Sequence, residues 1–198
     1  MLPNNNWTPF EILNLFIDDF LDIVVEKTNQ AFQFSTREGS RDEYFQILNR
    51  VELKKYIGIL IMMGIQKLPE IESHWATHGM WNSNLITSTM SRNKFEAIGT
   101  YLSIGDPRSD KKLARTERLS EIINEKCRAF YSPRAELSID ESMIAYKGRH
   151  GLRQYIPMKP TKWGFKVFLL CERKTGYCIR HIFYDGPKRK NLSRRTLC

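Results

Sequence analysis

No stretch of this 198-residue sequence is long and apolar enough to span a bilayer. The longest apolar run, Ile57 to Ile65, is interrupted by Gly58 and Gly64. The N-terminus, MLPNNNW, lacks the basic-then-apolar start of a secretory leader, so an intracellular address is expected. Cysteine is scarce: Cys127, Cys171, Cys178 and Cys198 form no CxxC pair and have no companion histidine at zinc spacing. That argues against both a zinc ribbon and a disulfide framework. Free thiols are expected, with Cys171 and Cys178 able to face one another across a hairpin turn. His74 and His78 stand four apart near Trp75, yet no third ligand accompanies them, so no metal site is assigned there.

Net positive charge is missing from two-thirds of the chain. Residues 1–133 carry 16 Lys/Arg against 17 Asp/Glu, whereas residues 134–198 carry 15 against 5. The formal net charge of +9 therefore resides in the last third, which points to a localised polyanion-facing surface. With 41% hydrophobic and 27% charged residues, the composition is that of a globular protein with a core.

Thr8-Pro9-Phe10-Glu11 is a capping box with proline at the first helical position, and Phe10, Leu13, Phe16, Ile17, Phe20, Leu21 and Val24 recur behind it at helical spacing. The polar segment from Phe32 to Tyr44 reads as a loop. Asn49 to Glu52 is a second capping signal, opening a helix that ends at the Lys67-Leu68-Pro69 turn. Gly58 and Gly64 inside that helix imply close packing against another element. Ser91 caps a short helix through Phe95, Ile98 and Leu102. A charged linker is expected from Arg108 to Arg118, followed by a helix over Leu119 to Phe130 that Ser132-Pro133 closes.

From Leu137 the period changes to two. Leu137 and Ile139 mark a first strand; Lys166 to Glu172 and Tyr177 to Tyr184 form a hairpin joined through Arg173-Lys174-Thr175-Gly176. Between them Lys147, Arg149, Arg153, Lys159, Lys162 and Lys166 interleave with Tyr146, Tyr155, Trp163 and Phe165. Cations neutralise phosphates and aromatic faces stack on bases or sugars, so Lys147, Arg149, Arg153, Lys159, Lys162, Trp163 and Lys166 are candidate nucleic-acid-binding residues. Asp140, placed at a strand end and pointing into this surface, is a candidate metal ligand and catalytic carboxylate. Unpaired strand edges in so short a sheet are an aggregation hazard.

The blocks SIDESM, KGR, RQYIPMKPTKWGFK and LC followed by TGY, with YIGILIMMGIQKLPEIESHW upstream, together resemble the start of the catalytic domain of piggyBac-type transposases and their domesticated relatives. The resemblance implies a DDE/D recombinase with an RNase H-like fold, in which three aspartates bind Mg²⁺ and DNA is cut and rejoined; Asp140 matches the first. No Asp-Asn-aromatic motif for the second is present, and Asp185, beside Gly186-Pro187, reads as a turn residue. Nor is the family's cysteine-rich tail. The expected class is therefore α+β: a helical region over 1–133 that in this family helps bind DNA and dimerise, the first strands of an incomplete RNase H-like domain over 134–184, and a disordered basic tail over 185–198. Lys188-Arg189-Lys190 and Arg194-Arg195 there fit a nuclear-localisation signal or an unstructured basic tail made by a premature end of the reading frame, of which the second is the favoured origin. The implied function is that of a transposase-derived chain, ancestrally carrying out Mg²⁺-dependent DNA strand cleavage and transfer and inactive as this truncated chain; the alternative is a domesticated, non-catalytic DNA-binding or regulatory module. DNA and a second copy of the chain are the expected partners, with no membrane and no small-molecule substrate.

Overall fold

The capping box at the N-terminus closes as the sequence indicates in the computed structural model, which describes residues 7–35, 42–76, 84–106, 108, 113 and 116–186. The Thr8 hydroxyl accepts from the Glu11 N–H at 3.2 Å, and the Glu11 carboxylate accepts from the Thr8 N–H at 2.8 Å. Helix α1 that follows runs Pro9–Gln33, farther than its apolar stripe indicates, and so takes in Phe32 from the segment read as a loop. Phe32 is held there by the ring of Phe45 at 4.5 Å and that of Tyr101 at 5.1 Å. Packing overrides the polar composition at this helix end.

Helices α2 (Arg50–Ile65), α3 (Asn84–Thr89), α4 (Arg92–Tyr101) and α5 (Glu117–Phe130) complete the helical set among the described residues. Asn49 caps α2 by accepting from the Glu52 N–H at 3.0 Å, and Ser91 caps α4 by accepting from the Lys94 N–H at 3.4 Å. Close packing at Gly58 and Gly64 does not occur: a Cβ at either would meet nothing within 4 Å, and Gly58 faces a small cavity of about 180 Å³. The close approach lies at Gly99 instead, whose Cβ would stand 3.1 Å from the Tyr56 hydroxyl. His74 is buried on a short 3₁₀ turn, and the call on His78 falls outside the described residues. No helix among the described residues is long and apolar enough to cross a membrane.

Strands β1 (Leu137–Ala145), β2 (Gln154–Tyr155), β3 (Trp163–Glu172) and β4 (Cys178–Phe183) form one antiparallel sheet. β3 is central: β1 pairs along one edge over its whole length, while β2 and β4 share the other. Gly176, at a φ of 72°, supplies the left-handed turn that joins β3 to β4. Cys171 and Cys178 are register partners across that hairpin; burial, and then the neighbouring Cys171, pushes the Cys178 thiol up to about 11. The mixed helix and antiparallel-sheet class expected from the sequence is the class observed.

Packing divides the chain into two units, residues 17–109 and the remainder, and α5 falls in the unit that holds the sheet. The buried Asn124 amide donates to the His181 carbonyl and accepts from the His181 N–H, both at 2.8 Å, standing where a neighbouring strand would stand along the outer edge of β4. Ser120 adds a 2.9 Å hydrogen bond to the His181 ring, and Tyr177 donates to the Cys127 carbonyl at 3.1 Å. This helix belongs to the sheet rather than to the helices before it.

Candidate nucleic-acid interface

Strand β1 alternates, so Asp140 and Glu141 face opposite sides of the sheet. Asp140 is exposed, pairs with Leu169, and sits fourth of nine residues in its strand rather than at the end. The pairing of Ser142 through Ala145 with Val167 through Gly164 carries the strand past the point where the apolar alternation fades. Gly164 permits this: a Cβ there would stand 2.0 Å from the Ile144 carbonyl oxygen, a distance no side chain tolerates. One Asp140 carboxylate oxygen accepts from the Glu141 N–H at 2.7 Å.

The run of cations does not form one surface. Lys166 pairs with Glu141 at 2.5 Å and Lys159 at 3.8 Å, and the Lys159 ammonium also donates to the Glu141 carbonyl at 3.1 Å. All three lie on the face opposite Asp140. The Lys166 hydrogen bond, reinforced by the charges of Lys166 and Lys159, holds the Glu141 carboxyl below the usual range. Lys166 also lies 4.9 Å from the Phe168 ring centroid. Asp140 therefore does not point into a surface that includes Lys159 and Lys166, because the strand's period of two separates them.

Lys147, Arg149 and Lys162 are exposed, and among the described residues no carboxylate pairs with any of them. The sequence from Tyr146 to Lys166 contains no Asp or Glu at all. Arg153 plays a structural part: it donates to the carbonyls of Lys147 at 3.2 Å and Gly148 at 2.9 Å, and its guanidinium lies 4.3 Å over the Trp163 ring. Trp163 in turn meets its cross-strand partner Tyr155, with ring centroids 4.7 Å apart.

The segment that presents these groups has a core of its own. Leu152 is 2% exposed, and the Phe165 ring contacts those of Tyr146 at 4.8 Å and His150 at 5.1 Å. A Cβ at Gly148 would lie 2.5 Å from the Tyr146 hydroxyl, so any larger residue there would have to displace the Tyr146 ring. The Ile156 N–H donates to the Lys162 carbonyl at 2.9 Å, closing the bend that brings Lys162 back toward β2. Exposed charge is thus mounted on an anchored loop, which lowers the entropy lost when it meets a ligand.

Two acidic residues escaped the sequence reading. Glu141, next to Asp140 in SIDESM, neutralises two of the candidate cations, and only the register of β3 reveals it. Glu172 is 1% exposed; its carboxylate accepts from the Tyr131 hydroxyl, from Thr175 at 2.5 Å and from the Arg134 N–H at 3.0 Å. Those donors, Thr175 first, lower its carboxyl to about 2. A Glu just before a four-residue turn was the available signal, and it identifies a hairpin brace rather than a metal ligand.

The family resemblance implies a divalent metal, which would need several carboxylates or imidazoles on one site. Among the described residues no group of three or more His, Cys, Asp or Glu could hold a metal ion. Glu141, the carboxylate nearest in sequence, is turned to the other face and committed to two lysines. Asp140 with its described surroundings does not make a metal cage.

Comparison with known proteins agrees with this architecture. The sequence profile of a family described as Transposase IS4 matches residues 8–197. The human piggyBac transposable element-derived protein 3 is 30% identical over 166 residues, 81% of this chain and 27% of that protein. Human piggyBac transposable element-derived protein 2 is 28% identical over 175 residues, 84% of this chain and 28% of that protein. A piggyBac transposase in a synaptic complex with hairpin DNA, solved by cryo-EM, superposes with a TM-score of 0.79 at 26% identity, covering 94% of this chain and 40% of that one. The chain thus spans little more than a quarter of the length of these curated relatives. The α-helical region followed by an RNase H-like antiparallel sheet, and the profile match over nearly the whole sequence, show that this chain belongs to the Transposase IS4 family, in its piggyBac-type branch.

Proposed function

We propose that this chain engages DNA through the anchored loop between β1 and β3, as part of a piggyBac transposase-derived protein. The observation that carries the reading is the set Lys147, Arg149 and Lys162, exposed and without carboxylate partners in a segment free of acid, on a fold similar to a transposase solved with hairpin DNA. Cations so placed bind phosphate backbones with little regard to sequence and release condensed counterions, so affinity falls steeply with salt. Lys159 and Lys166 contribute less, because Glu141 already neutralises them. Arg153 acts by shaping the loop.

Ancestral strand cleavage and transfer belongs to the complete family member, with Asp140 as its first metal ligand and Mg²⁺ as the expected ion. Asp140 faces away from Glu141, and two-metal chemistry needs several carboxylates on one site, so cleavage is expected only where further carboxylates join Asp140. The same reading places the protein in the nucleus and allows a homodimer. Fluorescence anisotropy with a labelled duplex between about 50 and 200 mM salt tests the binding, and Mg²⁺- or Mn²⁺-dependent cleavage that Asp140→Asn abolishes would reverse the second point. Microscopy of a fluorescent fusion and sedimentation equilibrium test location and dimerisation.

A further inference from the structure

Resting on the DNA-binding reading, we infer that Arg153, Trp163 and Tyr155 form a stacking platform for an unpaired nucleobase beside the phosphate-binding cations. Trp163 is 48% exposed and Tyr155 51%, so both rings are open to a ligand from solvent. Their centroids are 4.7 Å apart with the planes tilted by 40°, and the Arg153 guanidinium lies 4.3 Å over the indole. Arg153 is fixed by the Lys147 and Gly148 carbonyls, and Gly164, which pairs with both Ala145 and Gln154, locks the strand on which Trp163 stands. The rings are therefore oriented before any ligand arrives.

The chemistry of the surroundings selects the occupant. A bare aromatic pair suits many partners, but this one lies in a segment with six Lys/Arg and no Asp or Glu between residues 146 and 166, and with Lys162 next to Trp163 in sequence. A partner must supply a flat π-surface and negative charge within one side-chain length of each other, which describes a nucleotide. The bases of an intact duplex are stacked on one another and hide their faces, so the ligand is a base freed from pairing, at a single-stranded end or a hairpin tip. The cations hold the backbone on either side, whatever the sequence.

The test uses the full chain and two sets of DNA, a blunt duplex and the same duplex carrying either a short unpaired overhang or a hairpin tip. The inference expects tighter binding to the unpaired forms, and expects Tyr155→Leu and Trp163→Leu, which retain bulk for the sheet, to lower the ratio of unpaired-form to blunt-duplex affinity, each measured on the same variant, by about tenfold. Trp163→Phe, which restores a ring, recovers most of it. Equal affinity of the wild type for both sets overturns the inference and leaves the DNA-binding reading standing. No affinity for either set overturns the reading beneath it, and the inference with it. If the Leu variants change only the sedimentation behaviour of the chain, the rings serve a protein contact and the inference is wrong.

Discussion

The two packing units handle charge in opposite ways. In residues 17–109 most of the described cations are answered, Lys27 by Glu26, Arg50 by Asp18 and Asp22, Lys54 by Asp18, Arg92 by Glu72 and Glu96, and Lys94 by Glu52, while Lys55 and Lys67 are exposed with no carboxylate partner among the described residues. In the sheet unit the carboxylates Glu141 and Glu172 are used up inside the structure, while Lys147, Arg149 and Lys162 project without partners. Exposed ion pairs contribute only about 0–1 kcal/mol each, so the helical unit gains little stability from its pairs. What it gains is a surface with no preference for a polyanion. Positive charge left over from folding, and not total charge, marks the region proposed to meet DNA.

The comparison breaks most severely if either unit loses its core. Leu21→Ala and Leu152→Ala each truncate a side chain buried to 2% exposure or less, and each should cost about 2–5 kcal/mol by thermal or denaturant unfolding. The two differ in consequence. Leu21→Ala, in the helical unit, should leave DNA affinity intact at temperatures where the chain stays folded, whereas Leu152→Ala unseats the charged loop and should weaken binding.

Next in size is the charge itself. Replacing Lys147, Arg149 and Lys162 together by Gln should lower duplex affinity by on the order of a hundredfold near physiological salt and flatten the slope of log K against log salt by about 3. Lys27→Gln with Lys54→Gln and Arg92→Gln, the same charge removed from the helical unit, should change affinity by less than about threefold, through long-range field alone.

Glu172 sharpens the contrast from the acid side. Its carboxyl lies at about 2 in the folded chain against an ordinary value near 4.5, so the folded state binds its proton more weakly than the unfolded state does. The stability it contributes is fully present above about pH 4.5 and is lost as pH falls from there toward about 2. Glu172→Gln should lower the melting temperature at neutral pH and should flatten its dependence on pH within that window, as followed by circular dichroism. Asp140→Asn has the smallest expected effect: with only a local backbone bond to lose, stability should move by less than about 0.5 kcal/mol, and DNA affinity should hold or rise slightly.

Local signals were readable wherever one residue type answers one backbone need. Thr8, Asn49 and Ser91 announced the starts of α1, α2 and α4, and Gly176 the β3–β4 turn, because capping and left-handed turns are decided within four residues. Long-range pairing was not readable. β2 is two residues long and exists only against β3, and the membership of α5 in the sheet unit depends on Asn124, Ser120 and Cys127 meeting His181 and Tyr177. The candidate site divided along the same line. Its cations were visible as a run, but the loop between β1 and β3 has no period, so nothing in the sequence indicated that Lys159 and Lys166 would go to Glu141 on one face while Lys147, Arg149 and Lys162 stay open. The tail with Lys188-Arg189-Lys190 and Arg194-Arg195 falls outside the described residues.

Hydrogen–deuterium exchange of the whole chain with and without saturating duplex DNA at low salt tests the central claim most directly. The account predicts that protection gained on binding maps to residues 146–163, with no gain across α2 and α4. Protection concentrated on α2 or α4, with residues 146–163 exchanging as fast as in the free chain, would contradict it.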